Sequence, residues 1–160
     1  MRDLADKRAV VTGAASGIGR AIALELASKG THVCLWDLDA QGLLQTQNLC
    51  RDLGVDSKSV VCDLSSPEQI TASISEMYST WPAIDILVNN AGVGFEGPTH
   101  RMTAKQWQAV IGINLLAPVQ MIHEMLPMLM ARPEAHVVNV SSMLGFCPAP
   151  RGAAYCTSKY

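Results

Sequence analysis

Short apolar runs rich in β-branched residues recur along the chain, separated by longer stretches with helical spacing. Each run has the length of a strand and is almost continuously apolar, which is typical of parallel strands buried on both faces of a sheet. The pattern predicts five strands, at residues 9–12, 31–36, 59–62, 84–88 and 136–140.

The segments between these runs predict helices. Two of them, residues 18–29 and 39–53, follow the first and second strands. The first of these helices has apolar residues at positions that share one face. We expect that face to be the buried one, and it consists of Ile18, Ala21, Ile22 and Leu26.

Two further helices carry start signals. Ser66 suits an N-cap, Pro67 suits the first helical position, and Gln69 would complete a capping box. Thr103 and Gln106 have the same capping-box spacing. The predicted helices cover residues 66–81 and about 103–131.

The alternation of strand and helix predicts an α/β fold, a doubly wound parallel sheet of the Rossmann type, in one domain over residues 1–160. A complete sheet of this kind has the order 3-2-1-4-5-6. Five predicted strands therefore indicate a fold truncated after strand five and a domain incomplete at its C-terminus. We expect strand five to be an apolar sheet edge, the last helix to have barely one turn, and the isolated chain to fold poorly and catalyse weakly or not at all.

Composition narrows the function classes. The net charge of −2 and the lack of a Lys/Arg-rich run argue against a nucleic-acid partner. Without an uninterrupted apolar run of roughly 18 residues no membrane span is predicted, and the N-terminal residues do not have the pattern of a signal peptide. Five cysteines without Cys-x-x-Cys spacing predict reduced thiols in the cytoplasm, and four scattered histidines predict no metal site.

A glycine-rich turn follows the first strand and opens the first helix. Gly13, Gly17 and Gly19 would let the chain turn sharply and approach a pyrophosphate closely. The start of the helix, with Ser16 and Ile18, would offer free N–H groups and a positive dipole end to phosphates. The turn therefore predicts a dinucleotide site.

Asp37 ends the second strand, 18 residues after Gly19. An acidic residue at about this distance binds the ribose hydroxyls of NAD in dinucleotide folds. No basic residue lies at Ser16 or directly after Asp37, so a 2′-phosphate would meet negative charge with no cation. The sequence predicts NAD as the cofactor, with NADP less favoured.

Tyr155 and Lys159 are four residues apart and would share one helical face. A free tyrosine has a pKa of about 10 and is a poor base near neutrality, but a neighbouring ammonium favours the phenolate. Such a tyrosine can exchange a proton with an alcohol or a ketone. Ser142 could hold the substrate oxygen beside it or be a turn serine, and for Ser141 we prefer the turn role.

Together these motifs resemble the short-chain dehydrogenase/reductase family over essentially the whole chain. Each motif is modest alone, but their order and spacing are highly specific. The matching residues are Thr12, Gly13, Gly17, Ile18, Gly19, Asp63, Leu64, Asn89, Asn90, Ala91, Gly92, Asn114, Ser142, Tyr155 and Lys159.

The resemblance implies a catalytic tetrad of Asn114, Ser142, Tyr155 and Lys159. Tyr155 would be the acid/base, Ser142 would orient the reacting oxygen, and Lys159 would bind the nicotinamide ribose and favour the phenolate. The resemblance also implies cofactor contacts from further residues, namely Asp63 and Leu64 near the adenine and Asn90, Ala91 and Gly92 after strand four.

Asn114 also has an argument from the residues alone. Pro118 lies four residues later and has no N–H, so the Asn114 carbonyl is released from the helical ladder. In the resembled family this carbonyl holds a water of a proton relay. The alternative is that Pro118 only kinks a long helix.

The predicted function is an NAD-dependent oxidoreductase that interconverts a secondary alcohol and a ketone, with a small-molecule substrate and, by the resemblance, a homo-oligomeric assembly. A cleft with Phe95, Leu144 and Phe146 on an apolar wall would receive the substrate. One alternative is a truncated, non-catalytic nucleotide-binding or interaction module. A methyltransferase is disfavoured, because methyl transfer does not need the serine, tyrosine and lysine set.

Overall fold

The computed structural model describes residues 3–160, and its strands and helices alternate along the chain. The elements are β1 (Arg8–Thr12), α1 (Gly17–Ser28), β2 (His32–Asp37), α2 (Ala40–Asp52), β3 (Ser57–Val61), α3 (Pro67–Thr80), β4 (Ile86–Asn89), α4 (Ala104–Ile111), α5 (Ala117–Met130), β5 (His136–Asn139) and α6 (Ala153–Lys159). Short 3₁₀ turns lie at Thr99–Arg101 and Met143–Gly145, and a π-helical segment, Gly112–Leu116, joins α4 to α5.

The five strands form one parallel sheet in the order β3-β2-β1-β4-β5. β1 pairs with β2 on one side, where Val10 lies opposite Cys34, and with β4 on the other, where Val10 lies opposite Leu87. The predicted doubly wound fold is confirmed. The strand order reverses between β1 and β4, which is where such sheets bind ligands at their carboxyl ends.

Apolar clusters cover both faces of the sheet. Helices α3 and α5 pack on one face through residues such as Ile74 and Met125, and α1 and α2 pack on the other through Ala23 and Leu43. Three methionines of α5, Met121, Met125 and Met128, are at most 1% exposed and belong to this core, whereas Met130 is 74% exposed. The methionine stripe is therefore mainly packing.

The predicted apolar face of α1 is buried only in part, since Ile22 and Leu26 pack against the apolar cluster on that face of the sheet. The residues that α1 buries are Gly19, Ala23 and Ala27, whereas Ile18 is 65% exposed. Small side chains let the helix approach the sheet closely, which a pattern of large apolar residues does not reveal. Ile18 lies instead at the exposed start of the helix.

One of the two predicted capping boxes is wrong. Ser66 accepts the Gln69 N–H, but the Gln69 side chain turns to the preceding loop and accepts the Asp63 N–H at 3.1 Å. The Thr103–Gln106 box is present in both directions at the start of α4. The competing backbone donor at Asp63 is brought near Gln69 by the chain fold, so the local spacing alone could not predict it.

The predicted long helix is a continuous stretch over Ala104–Met130, with the π segment in its middle. It has 27 residues and contains an 18-residue stretch with a mean hydropathy of 1.4, which would suffice, by length and composition, to cross a membrane. The helix contains no uninterrupted apolar run of that length, because residues such as Gln120 and Glu124 lie between its apolar positions. A single such helix is weak evidence, since a core helix of a soluble protein has the same properties, and here the methionines of its α5 part pack on the sheet.

β5 pairs with β4 alone, and all four of its residues are exposed. Val137 and Val138 are 40% and 45% exposed, so β5 is the apolar edge that the sequence predicts. The expected single turn for the last helix is wrong, because α6 has seven residues, which is about two turns.

Candidate active site

The glycine-rich turn is joined to the end of β4 by a set of short hydrogen bonds. The Thr12 hydroxyl accepts the N–H groups of Asn90 and Ala91, both at 3.0 Å, and the Asn90 amide donates to the Thr12 carbonyl at 3.0 Å. A Cβ on Gly13 would lie 2.8 Å from Asn90 Nδ2. The close approach of the two loops therefore requires glycine at this position.

The start of α1 is open. Gly17 has φ +53°, and a Cβ built on it would meet nothing within 4 Å. Ser16 is extended and makes no side-chain capping bond, so the first N–H groups of α1 have no side-chain acceptor. A Cβ on Gly19 would overlap the Gly13 carbonyl, which keeps the turn folded tightly beneath this opening. An anion can approach the helix dipole here without displacing a side chain.

Asp37 lies at the end of β2 and holds two loops. Its carboxylate accepts the Ala15 N–H at 3.0 Å and the Asp39 N–H at 3.1 Å. It also lines a cavity of about 180 Å³ beside the glycine turn. The predicted cofactor residues that share this cavity are Gly13, Asp37, Asp63, Leu64, Ala91 and Gly92.

Lys159 and Tyr155 are brought together by α6. The Lys159 ammonium lies 5.9 Å from the centre of the Tyr155 ring and donates to the Val140 carbonyl at 2.9 Å. Lys159 Nζ and Asn114 Oδ1 both lie 3.4 Å from the point that a Cβ on Gly92 would occupy. Burial lowers the pKa of Lys159 below its ordinary value, because the ammonium loses solvation.

A second cleft of about 460 Å³ opens in front of Tyr155. Phe95 and Leu144 line it, as the sequence predicts, but Phe146 is 85% exposed and lies outside this lining. Ser142 begins the 3₁₀ turn that carries Leu144, and its hydroxyl accepts the Leu144 N–H at 3.2 Å. Ser142 is thus beside the cleft, with the donor hydrogen of its hydroxyl unused in that bond.

Asn114 is buried in the π segment, and the sequence did not predict its two partners, Val93 and Ser158. Its amide bonds the backbone of Val93 in both directions and donates to the Ser158 hydroxyl at 2.9 Å. Ser141, expected to be a turn serine only, donates to the Lys159 carbonyl at 2.8 Å. These serines carry no local signal, because the partners are distant in sequence.

Comparison with known proteins agrees with this geometry. A family model described as short chain dehydrogenase matches residues 7–160. The chain belongs to the short-chain dehydrogenase family. The resemblance inferred from the sequence motifs is thereby confirmed.

Relatives and solved structures in this family extend beyond the chain. It is 32% identical to the putative oxidoreductase SadH of Mycobacterium tuberculosis, over all of this chain and 58% of that protein. It is 33% identical to estradiol 17-beta-dehydrogenase 11 of Mus musculus, over 99% of this chain and 53% of that protein. The chain thus spans little more than half the length of these curated relatives.

Two solved short-chain dehydrogenases superpose closely and differ in cofactor. A metagenomic short-chain oxidoreductase in complex with NADP has a TM-score of 0.93 and 39% identity, covering 98% of this chain and 71% of that one. An enzyme from Burkholderia phymatum in complex with NAD also has a TM-score of 0.93, with 33% identity, covering 99% of this chain and 57% of that one. These neighbours support a nicotinamide dinucleotide as the cofactor.

We predict that Gly17→Ala weakens dinucleotide binding by steric exclusion. The methyl group would enter the open space at the start of α1, and NADH affinity measured by fluorescence titration should fall at least about tenfold. Gly54→Ala is the matched control, since Gly54 also has a positive φ and open space around it but lies after α2. Both variants should lose about 1 kcal/mol of unfolding free energy, and equal NADH affinity in the two would contradict the prediction.

We predict that Lys159→Met changes how stability depends on pH. Because the folded pKa of Lys159 is lowered, the unfolded chain binds more protons between that value and the ordinary lysine pKa. The free energy of unfolding should therefore gain from this group as pH rises through the window. Burial raises the pKa of the Cys34, Cys50 and Cys62 thiols, which has the opposite effect on stability in this pH range. The gain is therefore measured as a difference. In urea unfolding, the stability of wild type relative to Lys159→Met should increase between pH 8 and about pH 10.5.

Lys29→Met provides the control, because Lys29 pairs with Glu25 on the surface at 3.0 Å. Its free energy of unfolding is measured over the same pH range. A gain of the same size in Lys159→Met would contradict the burial of the Lys159 ammonium as its cause.

Proposed function

We propose that the chain carries the cofactor-binding part and the catalytic residues of an NAD-dependent oxidoreductase that interconverts a secondary alcohol and a ketone. The observation that carries the proposal is the position of Tyr155 in the wall of the larger cleft, with the Lys159 ammonium 5.9 Å from its ring. A phenol beside a cation and facing an open cleft is suited to proton exchange with a substrate hydroxyl.

The chemistry that a bound nicotinamide supplies is the transfer of a hydride. In the direction of alcohol oxidation, the Tyr155 phenolate takes the proton of the substrate hydroxyl, and in the reverse direction the Tyr155 phenol returns it. Ser142 Oγ orients the reacting oxygen with the hydrogen left over from its bond to Leu144. Lys159 has three donor hydrogens, of which Val140 takes one, leaving two for a ribose hydroxyl and for solvent.

The π segment around Asn114 supports a proton relay. Ala117 donates to the Gly112 carbonyl, an i to i+5 bond, so the ordinary ladder is interrupted here. Pro118 has no N–H to offer the Asn114 carbonyl. That carbonyl can hold a water, through which Lys159 would pass a proton to solvent.

The choice of NAD over NADP rests on charge. The cavity of about 180 Å³ at the end of β2 has the carboxyl groups of Asp37 and Asp63 in its lining and no basic side chain among its described residues. The ribose hydroxyls of NAD can donate to a carboxylate, whereas a 2′-phosphate would be repelled by it.

The substrate would be a small alcohol or ketone with apolar substituents. Phe95 and Leu144 form apolar walls around Tyr155, and Glu96 at the rim pairs with Arg151 at 3.5 Å.

A homo-oligomer would be built through the long helix, whose exposed apolar residues include Leu116, Val119 and Leu126. Five free cysteines are consistent with the reducing cytoplasm.

We predict that Asp37→Asn reduces the preference for NADH over NADPH. Wild type should bind NADH at least about tenfold more tightly, since the carboxylates repel a 2′-phosphate but accept from ribose hydroxyls. The near-isosteric amide removes the charge, so the ratio of the two dissociation constants should move toward one. Asp39→Asn is the control, because Asp39 caps α2 and is not among the residues that line the cavity. Tighter binding of NADPH by wild type would overturn the assignment.

Tyr155→Phe tests the catalytic role. The variant lacks only the hydroxyl that exchanges the proton, so turnover of secondary alcohols with NAD, followed by absorbance of NADH, should fall at least about 100-fold. The dissociation constant of NADH should change less than about twofold. Turnover is measured in the natural protein that contains this chain, because the isolated chain is expected to catalyse weakly or not at all. NADH binding there without turnover of any secondary alcohol would favour the non-catalytic binding module.

A further inference from the structure

Ser158 is a buried hydroxyl between the two reactive side chains of α6. It precedes Lys159, lies three residues after Tyr155, and is 8% exposed. Its hydroxyl donates to the Tyr155 carbonyl at 2.8 Å and accepts from Asn114 Nδ2 at 2.9 Å. One side chain thus connects the backbone of the tyrosine to the π segment of the long helix.

The Asn114 amide has no donor left for any other group. Its two N–H bonds go to the Val93 carbonyl and to Ser158, and its oxygen accepts the Val93 N–H. An amide has two donor hydrogens. The Asn114 side chain therefore acts on the site by holding the loop after β4 and α6 in register.

Only a short side chain with a hydroxyl can both donate to the Tyr155 carbonyl at 2.8 Å and accept from Asn114 at 2.9 Å. The hydrogen is used on Tyr155, and a lone pair then faces Asn114. Alanine would leave an Asn114 N–H unpaired in a buried place, where a donor without a partner is costly.

We propose that Ser158 is a positioning residue, which through Asn114 and the Tyr155 carbonyl fixes the separation of the Tyr155 phenol from the Lys159 ammonium. The inference rests on the proposed function, in which this pair exchanges the substrate proton. Both partners of Ser158 are close to that pair, because Asn114 Oδ1 and Lys159 Nζ each lie 3.4 Å from the Cβ position of Gly92 and the Tyr155 carbonyl accepts the Ser158 hydroxyl.

The test follows the ¹³C chemical shift of the Tyr155 Cζ atom, which reports the surroundings of the phenol. Protein labelled with ¹³C at the tyrosine Cζ gives one signal each for Tyr78, Tyr155 and Tyr160, and Tyr155→Phe identifies the signal of interest. Lys159→Met should shift the Tyr155 signal at neutral pH, because the ammonium that lies 5.9 Å from the ring centre is gone. Ser158→Ala should also shift it, because the ring and the ammonium change their separation, and Ser158→Thr, which keeps the hydroxyl, should restore its position.

Ser79→Ala is the matched control. Ser79 makes the same bond to the carbonyl three residues earlier, at 2.7 Å to Glu76, but lies on the exposed side of α3. Its loss should leave the Tyr155 signal unchanged. If Ser158→Ala fails to fold, Ser158→Cys, which is close in volume and a weaker hydrogen-bonding group, should shift the Tyr155 signal instead.

The outcomes separate the two proposals. A Tyr155 signal that moves in Lys159→Met but not in Ser158→Ala or Ser158→Cys would overturn the role of Ser158 and leave the tyrosine–lysine pair intact. A signal that does not respond to Lys159→Met would overturn the pair itself, and with it the proposed function.

Discussion

The site depends on the side chain of Thr12, whose hydroxyl joins β1 to the chain that follows β4. It is 2% exposed, lies at the carboxyl end of β1, and accepts two consecutive N–H groups from the chain that leaves β4. The strand order reverses at this pair of strands, so the chain leaves β1 and β4 toward opposite faces of the sheet and a crevice opens between them. The lack of a side chain at Gly13 brings the two loops together, and the open start of α1 then faces the crevice.

Charge is distributed unevenly along this crevice. Two carboxylates, Asp37 and Asp63, lie at the end of β2 and after β3, whereas Lys159 is beside Tyr155 on α6. The ammonium is partly desolvated, which lowers the pKa of Lys159 and opposes folding while it is charged. Such a placement is unfavourable for stability alone, and cations of this kind are found where chemistry requires them.

Features set by local spacing were predictable from the sequence, and features set by tertiary contact were not. The five strands, the glycine turn and the Thr103–Gln106 cap follow from residues close in the chain. The exposure of Ile18 and the partner of Gln69 were not predicted, since both depend on what the fold brings near. Asn114 was identified from Pro118 and the family resemblance, but its partner Ser158 lies 44 residues away and carries no signal of its own.

The two parts of the site are held in place by different kinds of contact. The cofactor half is built on β1, β2 and β4, whose central residues are fully buried and packed on both faces. The residues proposed to be catalytic, Tyr155 and Lys159, lie on α6, whose Ala154 and Cys156 are buried. Individual bonds connect this helix to its surroundings, from Lys159 to Val140, from Ser141 to Lys159 and from Asn114 to Ser158. These bonds join α6 to the end of β5 and to the π segment, and thereby hold Tyr155 and Lys159 in register with the carboxyl ends of the strands.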